Sequence, residues 1–181
     1  MRRGLRSSLL LLVIVFLGLL CSTSARAVRV GVAPADTSVY VGNEFALRVV
    51  TGAFPDLKAF ELRYSFDPTK LRFVGADAGD VLTGTGRAYT GYAVVTAGAG
   101  ADSILYDAAM LEGSTAGPGI LVSFRFKALA VGDTPIQCQT ADFRDSSNEV
   151  TLPDCAGGLV HIVGATSARP ASWGRVKTLY R

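Results

Sequence analysis

From Val28 onward the chain alternates apolar and polar residues with a period of two, and that alternation constrains its fold more than any other feature. A period of two sends successive side chains to opposite faces of an extended strand, so each such run is a half-buried strand. The clearest is Phe60, Leu62, Tyr64 and Phe66, separated by Glu61, Arg63 and Ser65. Val28, Val30 and Val32 alternate with Arg29, Gly31 and Ala33 until Pro34. Val39-Tyr40-Val41 leads to a turn at Gly42-Asn43, after which Phe45, Leu47 and Val49 resume the alternation. Asp67-Pro68 breaks the clearest strand, and Leu71, Phe73 and Val74 begin another.

The stretch 75–100, rich in Gly, Ala and Thr, reads as flexible connections around a strand near Tyr89 to Val95. Ser103 to Leu111 reads as a strand buried on both sides, with two possible parities: Tyr106, Ala108 and Met110, or Leu105, Asp107, Ala109 and Leu111. Ile120, Val122, Phe124 and Phe126 alternate again, Ile136 to Thr140 is a short strand, and Leu159 to Val163 closes the pattern. About nine short strands with a turn signal every 8–12 residues predict an all-β sandwich or barrel. No helix is expected within it, and no repeat of solenoid or propeller period is visible.

The two ends carry different signals. Arg2, Arg3 and Arg6 precede an apolar run from Leu9 to Leu20 and a small-x-small site at Ala25-Arg26-Ala27, the order of a secretory signal peptide. The run is short for a bilayer span, which needs about 20 apolar residues. A retained signal anchor and a lipid-modified Cys21 are the alternatives, although Leu20 stands where lipidation sites carry a small residue. Residues 1–27 are therefore read as a removable signal, with a secreted or cell-envelope destination after cleavage near Ala27. Residues 28–164 form the domain, and residues 165–181 a linker and tail. In that tail Ser172 is a candidate N-cap, and Trp173, Val176 and Tyr180 share a helical face beside Leu179, with basic Arg175, Lys177 and Arg181. Docking to an envelope surface or to sorting machinery, packing back on the body and plain disorder all remain open for it.

Charge narrows the partners. The whole chain is formally +3, but the body 28–164 holds 10 basic and 15 acidic residues, a net of −5. An acidic body with no basic stripe argues against nucleic acid. In an oxidising compartment the two mature cysteines, Cys138 and Cys155, are expected to form a disulfide, the alternative being two buried thiols. No cofactor and no metal are expected. A zinc site has almost no ligands to draw on, and Asp142, Asp145 and Asn148, or Asp77 with Asp80, lack the EF-hand spacing for calcium. His161 reads as an ordinary strand histidine. No nucleophile elbow, metal-protease motif or phosphate loop is present, so the chain does not read as an enzyme.

The segment FELRYSFDPTKLRFVGADAGDVL resembles the cohesin signature: an alternating strand, an aromatic-Asp-Pro turn, an apolar residue three positions on, and a Gly-containing stretch ending in Leu. Phe66, Asp67, Pro68, Leu71, Gly79 and Leu82 fit that frame. GPGILVSFRFKALAVGDTPI and GGLVHIV resemble later cohesin strands, so the likeness runs in order over nearly the whole body. The resemblance implies a nine-stranded jelly-roll β-sandwich. It also implies a receptor for dockerins, small calcium-loaded modules borne by polysaccharide-degrading enzymes. Carbohydrate-binding modules share the fold superfamily, so polysaccharide is the alternative ligand and a structural envelope role a third reading. In cohesins the partner lies across one flat face that includes the strand before the Asp-Pro turn. That places Ala59, Glu61, Arg63 and Ser65 as candidate partner contacts, with Ala59 standing where classical clostridial cohesins often carry Asn. Sugar platforms need exposed aromatic faces, and Tyr89, Tyr92 and Tyr106 are the candidates outside the expected core.

Overall fold

The computed structural model describes residues 28–164. Its strands are β1 (Arg29–Ala33), β2 (Asp36–Tyr40), β3 (Glu44–Thr51), β4 (Ala59–Phe66), β5 (Leu71–Ala78), β6 (Tyr89–Thr96), β7 (Asp102–Met110), β8 (Gly119–Ala128), β9 (Gly132–Arg144), β10 (Val150–Thr151), β11 (Asp154–Cys155) and β12 (Gly158–Val163). One turn of helix, α1 (Asp80–Thr83), interrupts them. The strands form two sheets, ordered β11-β1-β3-β8-β5 and β2-β12-β9-β4-β7-β6, with β10 paired to β9. Of the sandwich or barrel that the alternation allows, this is the two-layer sandwich that the cohesin resemblance implies. Its segments outnumber the nine expected because β10 and β11 are two-residue pieces and β2 is a separate strand alongside β12.

The inward side of each alternating run builds the core. Phe60, Leu62, Tyr64 and Phe66 of β4 are buried, as are Val122, Phe124 and Phe126 of β8. Their rings meet edge to face: Tyr64 with Phe124 at 5.7 Å and Phe66 with Phe126 at 5.4 Å between centroids. Phe73 and Tyr106 also pack on Phe124. Such pairs add about 0.5–1.5 kcal/mol each beyond area burial. Burial raises the Tyr106 phenol to about 12 and shifts that of Tyr64 in the same direction.

Turn chemistry fixes the strand ends. Asp67 accepts from the Thr69 amide at 2.8 Å and the Thr69 hydroxyl at 2.6 Å, while its carbonyl accepts from the amides of Lys70 and Leu71. These bonds hold the Asp67 carboxyl below its usual range, the Thr69 hydroxyl having the largest effect. Gly42 takes φ +88° in the turn between β2 and β3, where a side chain would be strained. Gly79 has an ordinary φ but no room: a Cβ there would overlap the Ile120 carbonyl oxygen.

Four local readings need correction. The strand read as Ser103–Leu111 is buried on one side only: Ile104, Tyr106, Ala108 and Met110 face the core. Leu105, Asp107 and Ala109 face outward, and Leu111 is 62% exposed just beyond the strand. Tyr106 is thus a core residue at 3% exposure. The short strand at Ile136–Thr140 is part of a 13-residue strand, because a register shift opposite Arg63/Tyr64 lets β9 continue beside β4 as far as Arg144. Finally, α1 forms where no helix was expected. Val81 and Leu82 are buried, and Asp80 Oδ1 accepts from the Ile120 amide at 2.6 Å.

The expected disulfide is present. Cys138 of β9 is bonded to Cys155 of β11, with Cα atoms 5.8 Å apart, joining the two sheets.

Candidate binding face

The outer side of β9-β4-β7-β6 is an open surface whose residues stand in cross-strand rows. Arg144, Ala59, Ala109 and Thr90 form the first row; Asp142, Glu61, Asp107 and Tyr92 form the second. Thr140, Arg63, Leu105 and Val94 form the third, and Gln137, Ser65, Ser103 and Thr96 the fourth.

Ala59, Glu61 and Arg63 lie on this outer side as the alternation predicts. Ser65 does not serve as a surface contact, since it is buried at 7% exposure. The reason is its position: β4 is central in the sheet, and a short side chain between Ser103 and Gln137 is shaded by its neighbours. Glu61 and Arg63 pair at 3.8 Å with both side chains 45% exposed, an arrangement worth little to stability.

The second row is the distinctive one. Glu61 has Asp142 on one side and Asp107 on the other, in register on adjacent strands. Like charges directly opposite one another destabilise a sheet. Arg144 approaches Asp142 only to 3.8 Å, and Asp142 Oδ1 is shielded from solvent without a hydrogen bond among the described residues. The Tyr92 hydroxyl donates to Asp107 at 3.1 Å, and this bond with the Asp107 charge raises the Tyr92 phenol above its usual range. Ala59, Phe60, Glu61, Asp107, Asp142 and Arg144 line a shallow depression at the centre of the row. The outer side of the other sheet differs: it presents Arg48, Arg72, Arg125 and Lys127 with Glu44 and Asp77, of which Arg125 and Asp77 pair at 2.9 Å.

Sequence reasoning missed Asp107, Asp142, Arg144 and Tyr92 as neighbours of Glu61, because register between distant strands is not written in any local pattern. The other carboxylates considered for calcium have structural partners. Asp145 accepts from the amides of Ser147 and Glu149, Asp77 pairs with Arg125 and Asp80 caps Ile120, while Asn148 accepts from Arg144. Among the described residues, no three His, Cys, Asp or Glu side chains are grouped to hold a metal ion. Tyr89 and Tyr92 are exposed but lie on opposite sides of β6, so they form no shared platform. The expected signal (1–27) and the tail with Trp173, Val176, Leu179 and Tyr180 lie outside the described residues.

Comparison with known proteins agrees with this architecture. No curated protein matches the chain by sequence. The sixth cohesin of Acetivibrio cellulolyticus scaffoldin B, solved in complex with a mutant Cel5 dockerin, superposes with a TM-score of 0.60 at 16% identity, covering 76% of this chain and 99% of that one. The OlpA cohesin of Clostridium thermocellum, solved with a dockerin, gives 0.62 at 13% identity, covering 76% and 100%. A non-cellulosomal cohesin from the archaeon Archaeoglobus fulgidus gives 0.59 at 14%, covering 76% and 91%. The Cohesin domain family matches residues 30–156, most of the described body, and the chain belongs to that family.

Proposed function

We propose that this chain is an exported, non-catalytic receptor module whose β9-β4-β7-β6 face binds a dockerin-type protein. The observation that carries the reading is the carboxylate row Asp142-Glu61-Asp107. It opposes like charges at a cost in stability, and local rules are broken most often where function requires it. Among the structural relatives, the Acetivibrio and Clostridium cohesins were solved with dockerins bound. A complementary partner presents Lys, Arg or amide donors to the row, one of them reaching Asp142 Oδ1, while Leu105 and Val94 supply apolar contact beside it. Residues 1–27 act as the export signal, 28–164 as the receptor, and 165–181 as a separate basic tail that addresses the protein to the envelope.

The carbohydrate reading is weaker, because Tyr106 is buried and Tyr89 and Tyr92 face opposite ways. The test is calorimetric titration of the mature chain with calcium-loaded dockerin modules encoded in the same genome, and with soluble polysaccharides. Binding of a dockerin that Glu61→Lys/Asp107→Lys weakens at unchanged melting temperature supports the proposal. Binding of polysaccharide alone, or dockerin binding indifferent to both charges, overturns it.

A further inference from the structure

Among the described residues the two sheets have four edges, and three are guarded against pairing with another chain. β11 is two residues long. β2 is five residues long and carries Asp36 at its start. β5 has a register shift between Phe73 and Gly75 and bears Arg72 and Asp77. Short length, charge and bulges are the usual ways of blunting an edge. β6 has none of them. It runs eight residues in unbroken register with β7, and no charged residue stands between Arg87 and Asp102. Seven of its eight residues are exposed, including Tyr89 (38%), Tyr92 (53%), Val94 (45%) and Val95 (42%).

We propose that β6 is a self-recognition edge, which pairs antiparallel with β6 of a second copy about a two-fold axis at Tyr92. The sequence YTGYAVVT favours a second copy over a foreign strand because it is self-complementary about that residue. Directly opposed residues of an antiparallel pair share a face. Centring on Tyr92 therefore sets Tyr89 against Val95 of the second copy, Thr90 against Val94 and Gly91 against Ala93. Tyr92 meets Tyr92, the β-branched Val94 meets the β-branched Thr90, small Gly91 meets small Ala93, and the aromatic–β-branched pair of Tyr89 with Val95 is of the stabilising kind. No like charges meet. The dimer extends the β9-β4-β7-β6 sheet across both copies, with the two carboxylate rows on the same side. If that face is the receptor surface, two-fold pairing presents it twice and raises avidity for a partner carrying two binding modules.

The test uses the mature chain in analytical ultracentrifugation over a range of concentrations, together with register-specific cross-linking. A concentration-dependent dimer is expected, and Val95→Lys should weaken it on the order of tenfold or more at unchanged melting temperature. Opposed Cα atoms lie about 4.5–5.5 Å apart, within disulfide reach, so Tyr92→Cys should form a covalent dimer on mild oxidation. Thr90→Cys should not, because the two cysteines would stand about 13 Å apart along the strands. A chain that stays monomeric at every concentration overturns the proposal and leaves β6 to an extended segment of a different protein. A dimer that ignores Val95→Lys, or one in which Thr90→Cys cross-links as readily as Tyr92→Cys, also overturns it. None of these readouts involves a dockerin, so failure here is separable from failure of the receptor reading.

Discussion

Reducing the Cys138–Cys155 disulfide should destabilise the domain by about 3 kcal/mol, the loop-closure value for cysteines separated by 17 residues. At this size that corresponds to a fall in melting temperature of roughly 6–12 °C. The bond ties β9, which carries Thr140, Asp142 and Arg144 of the binding face, to β11 of the other sheet. The Tyr64 hydroxyl lies 3.6 Å from Cys155 Sγ inside the core. Reduction keeps both sulfurs and hence that neighbour, whereas Cys138→Ala/Cys155→Ala removes it. The double alanine variant should therefore lose a further 1–3 kcal/mol or so, the usual cost of a buried hydroxyl left unpaired. Adding Tyr64→Phe to the alanine background should recover most of that increment. The assay is urea unfolding of the chain from Val28 onward, oxidised, reduced and in the two variants. A reduced protein within about 1 kcal/mol of the oxidised one would refute the loop-closure argument. An alanine background insensitive to Tyr64→Phe would refute the role given to the sulfur.

Two further outcomes test other parts of the structure. His161 sits between Asp133 (2.7 Å) and Asp36 (3.1 Å), joining β9, β12 and the edge strand β2, and these carboxylates, Asp133 first, raise its pKa above 6.5. A raised folded-state pKa stabilises the fold fully below the unfolded value and ceases to do so as pH rises through the folded one. Melting temperature should thus fall as pH is raised from about 6 into the alkaline range, and His161→Gln should flatten that dependence. An identical pH profile in the variant would contradict it. Gly79→Ala should cost about 1–3 kcal/mol by driving a methyl into the Ile120 carbonyl, measured by thermal unfolding, and a neutral result would mean that the α1 junction yields freely.

What the sequence made legible follows the range of its signals. Alternation is local, so the inward set Phe60, Leu62, Tyr64 and Phe66, the turns at Asp67-Pro68 and Gly42-Asn43, and the all-β class were readable from residues a few positions apart, whereas the choice of sandwich over barrel came from the cohesin resemblance. Two cysteines within the body made the disulfide readable as well, on the expectation of an oxidising compartment. β7 defeated the pattern because Leu105 and Ala109 are apolar on its outer face, so it looked buried on both sides. β9 reads as a short strand because Gln139 is an extra residue between the partners of Arg63 and Tyr64, so Gln139 and Thr140 are both exposed and the alternation breaks there. The carboxylate row was half visible: Glu61 was identified, but its neighbours Asp107 and Asp142 lie 46 and 81 positions away and meet it only through strand register. The signal and tail were read from composition and lie outside the described residues.

The receptor reading is tested most directly by the amide and methyl NMR spectrum of the chain from Val28 onward as a dockerin module that binds it is titrated in. The largest shifts should fall on Glu61, Arg63, Val94, Leu105, Asp107, Thr140 and Asp142, with Arg48, Arg72, Ser123 and Lys127 of the opposite sheet unmoved. Shifts confined to that opposite sheet, or to the loops at either end of the sandwich, would contradict it.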